Sequence, residues 1–402
     1  MPPGAERGAG PDRSICLDNS ATTPIDPRVV EAMAPWTSTM FGNPSSSHLP
    51  GRRARQAVDE ARAQLAGLLG ADPGELVFTG SGTEADNLAL VGVAETFGPQ
   101  GCHIVTSAIE HPAVLETCRY LQGRGASISY LPVGADGIVD ASHLPGFLRP
   151  TTRLVSVMAA NNVVGTVQPI AELARTAHRH GALFHTDAVQ AVGKIPLDVG
   201  ALGIDLPSLS GHKLHGPQGV GALYVRAGVH LQPHVHGGGQ EGGLRSGTEN
   251  VAGIVGLGSA AAVAQAEMAS EAARLADLAD RTIATLAQAV PGGYLIGHRY
   301  RRLPGHLCLG FAGLENEAVR LLLALDQQGI AASSGSACSA HHAGEPSHVL
   351  AAMGLDPVRA RGSLRLTMGR FTTVSDIDAL LDVVPAAVAS LRPIGSDVLL
   401  RR

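Results

Sequence analysis

The chain has 402 residues, 45% of them hydrophobic and 16% charged, with 30 Lys and Arg against 35 Asp and Glu for a net charge of −5. That composition supplies a packed core for roughly two to three domains and excludes a disordered chain. The weak charge excludes the basic footprint of a nucleic-acid binder or a membrane-surface protein.

Residues 1–13 are rich in Gly and Pro and carry no apolar run, so they read as a disordered extension and not as a signal peptide. From about 75 to 225, short β-rich runs alternate with helical patterns. Strands are expected over 76–78, 104–106, 128–131, 154–158, 182–185, 204–206 and 221–225, and helices over 83–94, 112–122 and 170–180. Such alternation predicts an α/β fold with a largely parallel sheet covered on both faces, and ligands at its C-terminal edge. An Ala-rich helical stretch follows over 253–289, expected to break once, before Pro291-Gly-Gly293 punctuates the chain. Beyond lies a smaller α+β unit: a strand over 307–311, a helix over 315–328, an extended piece over 330–333, a strand over 363–367 and a helix over 375–391. No apolar stretch of about 18 residues runs uninterrupted, so no membrane span is expected. The five cysteines (Cys16, Cys102, Cys118, Cys308 and Cys338) are scattered and form no C-x-x-C pair. They predict a reducing cytoplasm and no disulfide framework.

The chemistry centres on Lys213, in Ser208-Leu-Ser-Gly-His-Lys213, and on Asp187, which ends the apolar run Ala182-Leu-Phe-His-Thr-Asp187. A lysine amine can form a Schiff base with the aldehyde of pyridoxal phosphate, and a carboxylate can keep the ring nitrogen protonated. Lys194 is the competing Schiff-base candidate; Ser210 and His212 beside Lys213, and the strand before it, favour Lys213. Gly80-Ser-Gly-Thr-Glu84 opens a helix after a strand, where Gly82 admits a phosphate and Thr83 donates to it. The same stretch also fits an ordinary glycine turn with a Ser or Thr cap. Ser210 and His212 are further phosphate donors. His111, before Pro112, suits stacking on a ring and proton transfer, or is a surface histidine before a helix. Asn162 suits the ring hydroxyl or the substrate, or a plain turn, and Gln190 suits the same hydroxyl. Arg365 is a charge inside an apolar strand, to be matched by a structural carboxylate or by a substrate's. Cys338, in Ser333-Ser-Gly-Ser-Ala-Cys338, is a nucleophile on a small-residue segment. His234, His236, His341, His342 and His348 lack zinc spacing, and no metal is expected.

Together these stretches resemble cysteine desulfurases of the NifS/IscS type, within the class V aminotransferase family. The resemblance runs from Leu17-Asp-Asn-Ser-Ala-Thr-Thr-Pro24 to Leu366-Thr-Met-Gly-Arg-Phe-Thr-Thr373 and includes Glu110-His-Pro112, Asn161-Asn162, Gly237-Gly-Gly-Gln-Glu241 and Arg245-Ser-Gly-Thr-Glu-Asn250. It implies the type I fold of pyridoxal phosphate enzymes. A large cofactor-binding domain would span 14–262, with a mostly parallel seven-stranded sheet, and a small α+β domain 263–402, with a mobile cysteine loop. It implies that Lys213 holds the cofactor, Asp187 the ring nitrogen and Gln190 the phenolic oxygen. Gly82, Thr83, Ser210 and His212 would cradle the phosphate, with Thr248 reaching that of the other subunit of a homodimer. His111 would stack on the ring and move protons, and Asn162 and Arg365 would hold the carboxylate of L-cysteine. Cys338 would take the sulfur as a persulfide and pass it to an acceptor protein, for example an iron–sulfur scaffold or a thiolation enzyme. A selenocysteine lyase, another class V lyase, or a low-turnover sulfur-relay subunit are the alternatives. Val163, Gly242, the Gly80-Ser81 order and the His341-His342 stretch depart from the family pattern.

Overall fold

A computed structural model describes residues 14–335 and 347–392. Its strands, in chain order, are β1 (Ile15–Cys16), β2 (Leu76–Thr79), β3 (His103–Ser107), β4 (Ser127–Leu131), β5 (Thr152–Ser156), β6 (Leu183–Asp187), β7 (Leu206–Ser210), β8 (Gly221–Tyr224), β9 (Gly293–Ile296), β10 (His306–Phe311), β11 (Ile330–Ala331), β12 (Ser333–Ser334) and β13 (Leu364–Thr367). Seven of them form one sheet in the order β2-β8-β7-β6-β5-β3-β4. Neighbours from β7 through to β4 pair in parallel, and β8 alone runs against its partners β7 and β2.

Both faces of this sheet are buried, as side-chain alternation requires. Leu76 and Phe78 face a core built with the helices Pro27–Ser38, Leu49–Leu69 and Ile170–Arg179. Val77 faces the opposite core, built with the helices Gly82–Phe97 and Pro112–Gly123. Polar residues inside the strands are satisfied between strands. His185 of β6 meets Ser156 Oγ of β5 at 2.7 Å and Ser208 Oγ of β7 at 3.0 Å.

These hydroxyl rungs explain one departure from the expected strands. The apolar run 204–206 suggested a strand ending at Leu206, whereas β7 begins there and continues to Ser210. Lys213 consequently stands three residues past the strand end. The expected strand 154–158 instead ends at Ser156, and the Met158 N–H is taken by the Glu110 carboxylate. Two helices near the N-terminus, Pro27–Ser38 and Leu49–Leu69, were not anticipated.

The helix Val251–Ala289 is continuous over 39 residues, without the expected break. Its glycines permit close packing: a Cβ on Gly258 would lie 2.5 Å from the Ala61 Cα of the helix Leu49–Leu69. By length and composition it could cross a bilayer. Here it serves as a core helix: its first half lies in the large core, and its second half joins a separate core with β10, β13 and the helix Val374–Leu391. That second core belongs to the four-stranded sheet β12-β13-β10-β9.

The segment 14–24 links the two cores. β1 pairs in parallel with β11, and Asn19 Nδ2 donates to Thr367 O at 2.7 Å. A few residues on, Thr23 N–H donates to His212 O at 3.0 Å. The same short stretch therefore touches β13 on one side and the loop after β7 on the other.

Candidate active site

A cavity of about 460 Å³ opens at the C-terminal edge of the parallel strands, where such sheets place their ligands. The turn after β2 contributes Gly82 and Thr83, β6 ends in Asp187, and β7 leads through Ser210 to His212 and Lys213. The loop after β3 brings His111, the turn after β5 brings Asn162, and β13 brings Arg365. Gln190 completes the set, so ten predicted residues meet around one space. Thr248 is exposed and does not line the cavity. Cys338 lies outside the described residues.

The Gly82 end is a helix N-terminus. Ser81 caps the helix Gly82–Phe97, its Oγ accepting the Glu84 N–H at 3.1 Å. Gly82 itself is pressed against the loop after β6 and the end of β7: a Cβ there would come within 2.6 Å of Val189 Cγ2 and 3.2 Å of Ser210 Cβ. Free backbone N–H groups, the Thr83 hydroxyl and Ser210 thus surround a small volume suited to an anion. The His212 ring, lowered to about 4 by burial and by the nearby lysines, is neutral at ordinary pH and meets Thr22 Oγ1 at 3.1 Å.

Lys213 Nζ donates to Ser20 O at 2.5 Å and to Ala21 O at 2.6 Å. Gln190 Nε2 donates to the same Ser20 carbonyl at 3.0 Å. The N-terminal segment thereby holds both groups at the cavity wall. The Ser20 hydroxyl is buried there without a hydrogen-bond partner.

On the other wall lies a buried cluster of titratable groups. Ligand atoms of Asp86, His111 and Asp187 lie within 4.8 Å of one another. Burial raises Asp187 to about 6, with Asp86 pushing the same way and His111 opposing. Burial raises Asp86 to about 7 and Glu110 to about 8. His111 is pushed below its usual value by burial, against the pull of Asp187. Its Nδ1 accepts the Ala113 N–H at 3.1 Å, capping the helix Pro112–Gly123, so its proton resides on Nε2.

Arg365 has the structural carboxylate that sequence offered as one of its two partners. Its Nη2 pairs with Asp18 Oδ1 at 2.8 Å and its Nη1 donates to Asn162 O at 3.1 Å, while Nε is buried without a hydrogen bond. A structural carboxylate holds the fork, yet the guanidinium still lines the cavity.

Asp18, Ser20, Asp86 and Glu110 are the site residues that sequence reasoning missed. A carboxylate at position 86, in the first turns of a helix that is otherwise apolar from Leu88 to Ala94, was the readable signal for Asp86. The others have ordinary neighbours and declare themselves only through contacts.

A lysine and an acid at opposite sides of one cavity, with a helix N-terminus at a third, define an enzyme that carries an aldehyde- and phosphate-bearing cofactor. The fit is supported by the donor set: a small anion cradle closed by Gly82, and the buried Asp187 carboxylate pushed toward neutrality. The family model "Aminotransferase class-V" matches residues 15–380. The cysteine desulfurase IscS of Dictyoglomus turgidum is 47% identical over 382 residues, covering 95% of this chain and 96% of that protein. A solved "NifS-like protein" superposes with a TM-score of 0.88 at 38% identity, covering 94% of this chain and 100% of that one. The structure described as "SspA in complex with cysteine" gives 0.79 at 37% identity, covering 90% of this chain and 100% of that one. The chain belongs to the class-V aminotransferase family, whose cofactor is pyridoxal phosphate.

Proposed function

We propose that this protein is a cysteine desulfurase, which takes sulfur from L-cysteine, releases L-alanine and passes the sulfur on from Cys338. The observation that carries the reading is the meeting of Lys213, Asp187, His111 and the Gly82–Ser210 cradle around one cavity. Similarity to a cysteine desulfurase over 95% of the chain and to a structure holding cysteine narrows the substrate.

In this reading Lys213 holds the cofactor's aldehyde, Asp187 its ring nitrogen and Gln190 its phenolic oxygen. Gly82, Thr83, Ser210 and His212 hold its phosphate, and Thr248, exposed on one copy, reaches the phosphate of the other copy in a homodimer. When bound, the cofactor supplies an electron sink for the charge left as the Cα proton departs. The remaining tasks fall to side chains. Arg365 and Asn162 orient the substrate carboxylate. Lys213, once the substrate amine has taken its place on the aldehyde, or His111 would take the Cα proton, and His111 would act through Nε2, because Nδ1 is committed to the helix cap. The Cys338 thiolate attacks the substrate sulfur, so the S–S bond forms as the Cβ–S bond breaks and the carbon gains a proton. L-cysteine and a thiol thus become L-alanine and a persulfide, with no external oxidant. A second thiol, on a cytoplasmic acceptor protein such as an iron–sulfur scaffold or a thiolation enzyme, then receives the sulfur. The division at 262/263 is part of this reading: the large core binds the cofactor and the small one carries the cysteine.

Purified protein is expected to show a visible absorbance band that borohydride abolishes, and to release sulfide from L-cysteine when a reductant is present. Cys338→Ser should keep the band and lose the persulfide. A band-bearing protein that turns over cysteine sulfinate or selenocysteine but not cysteine sinks the substrate assignment.

A further inference from the structure

Lys194 is a second lysine near the site, and the reaction above gives it no task. Its Nζ donates to Gln190 Oε1 at 3.2 Å. Gln190 Nε2 donates to Ser20 O at 3.0 Å, and Lys213 Nζ donates to that same oxygen at 2.5 Å. The two lysines therefore end on one chain of hydrogen bonds, running lysine, amide, carbonyl, lysine. They also line a common cavity of about 50 Å³, which shares Lys213 with the larger one.

Such a chain has a sense. A lysine N–H can only be accepted by the amide oxygen, so Lys194 turns Oε1 toward itself and Nε2 toward Ser20. The amide nitrogen carries two N–H groups, and Ser20 takes one. Gln190 lines the large cavity, where the other can serve a ligand oxygen. Ser20 O and Lys194 Nζ fix that sense from the two sides of the amide, and without Lys194 the Ser20 carbonyl alone opposes a flip.

Resting on the cofactor assignment above, we propose that Lys194 is a positioning residue for the cofactor's lysine and phenolic oxygen, acting through the Gln190 amide and the Ser20 carbonyl. Among the described residues no carboxylate pairs with Lys194. Burial, helped by the Lys213 charge, lowers its amine to about 7. The charged and titratable groups around it are Lys213, His212, His215 and His306, with Glu271 and Arg370 on the small cavity. Glu271 is engaged by Arg274 at 2.9 Å, and Arg370 by Glu267. Burial and the Lys213 charge thus hold the Lys194 amine below its usual range, while its hydrogen bond fixes the Gln190 amide.

The test reads the visible band of the holoenzyme against pH. Lys194→Met should retain a borohydride-sensitive band but raise its titration midpoint by about one pH unit, a ten-fold gain in proton affinity at the linked nitrogen. Lys194→Arg, which restores donor and charge, should recover at least about half of that shift. A midpoint in Lys194→Met within about 0.2 unit of the unaltered enzyme overturns the proposal, as does a fall in melting temperature with no spectral change. If the Met variant fails to fold, Lys194→Leu at lower temperature is read against the same threshold. Absence of the band in the unaltered chain is a different result: it sinks the cofactor assignment and this inference with it.

Discussion

The two ends of the cavity are built on opposite principles. At the Gly82 end, backbone N–H groups, hydroxyls and a neutral His212 wait for an anion. At the Asp187 end, three carboxylates lie buried at about 6, 7 and 8 (Asp187, Asp86 and Glu110), beside a histidine pushed down by the same burial. The first end is complete without ligand, because dipoles and hydroxyls cost little to leave in water's reach. The second is electrically unfinished. Its acids are held toward neutrality by burial, and in the function proposed above a protonated ring nitrogen would supply the missing cation.

The largest expected effect tests that difference directly. Asp187→Asn should keep the cofactor but lower turnover of L-cysteine by about 10²–10³-fold, the scale of losing one aimed electrostatic partner. An equal loss from Thr83→Ala at saturating cofactor would erase the contrast between the ends. Next in size is Asp86→Asn, read as stability of the cofactor-free protein. Folded Asp86 keeps its proton to about pH 7, whereas an unfolded aspartate releases it near 3.8. The folded state thus binds more protons across that window, and its stability falls as pH rises through it. The asparagine variant escapes this loss. It should gain about 1–4 kcal/mol over the unaltered chain at pH 8, and the gain should shrink toward pH 4. Denaturant unfolding across that range measures it, and a difference independent of pH refutes it.

The same contrast decides what was legible in the sequence. Much of the Gly82 end is local: a strand, a glycine turn and a helix start lie within Leu76 to Glu84, and their chemistry follows from their order; Ser210 and His212 join it from the end of β7. Lys213 and Asp187 were legible because each follows an apolar run, although β7 proved to extend through its serines to Ser210. The buried wall was not legible, because its energetics come from distance in sequence. Asp86 meets Asp187 only where the helix Gly82–Phe97 packs against the end of β6, and Ser20 reaches Lys213 only because the N-terminal segment folds back onto the loop after β7. Arg365 shows the limit well: its partner Asp18 is 347 positions away. Thr248 stays exposed, and the role proposed for it would need a second copy that one chain's sequence does not place.

At the Gly82 end the expected effects are smaller and fall on binding. Thr83→Ala removes a donor to a charged group and should weaken pyridoxal phosphate affinity about ten-fold, leaving turnover at saturation intact. Ser81→Ala should cost least. Its hydroxyl caps the helix at 3.1 Å, and loss of such a cap costs about 1 kcal/mol. The damage stays local because Glu84 also holds the Gly80 N–H at 2.7 Å and is itself pinned by Arg245 at 2.8 Å. The helix start therefore keeps its place when the cap is removed, and the Asp187 end does not feel the change. Thermal unfolding should record the small loss in the variant, while turnover with saturating cofactor stays within about two-fold of the unaltered enzyme. A larger fall in turnover would mean that the preformed end and the unfinished end move together, and that the cavity is one mechanical unit and not two.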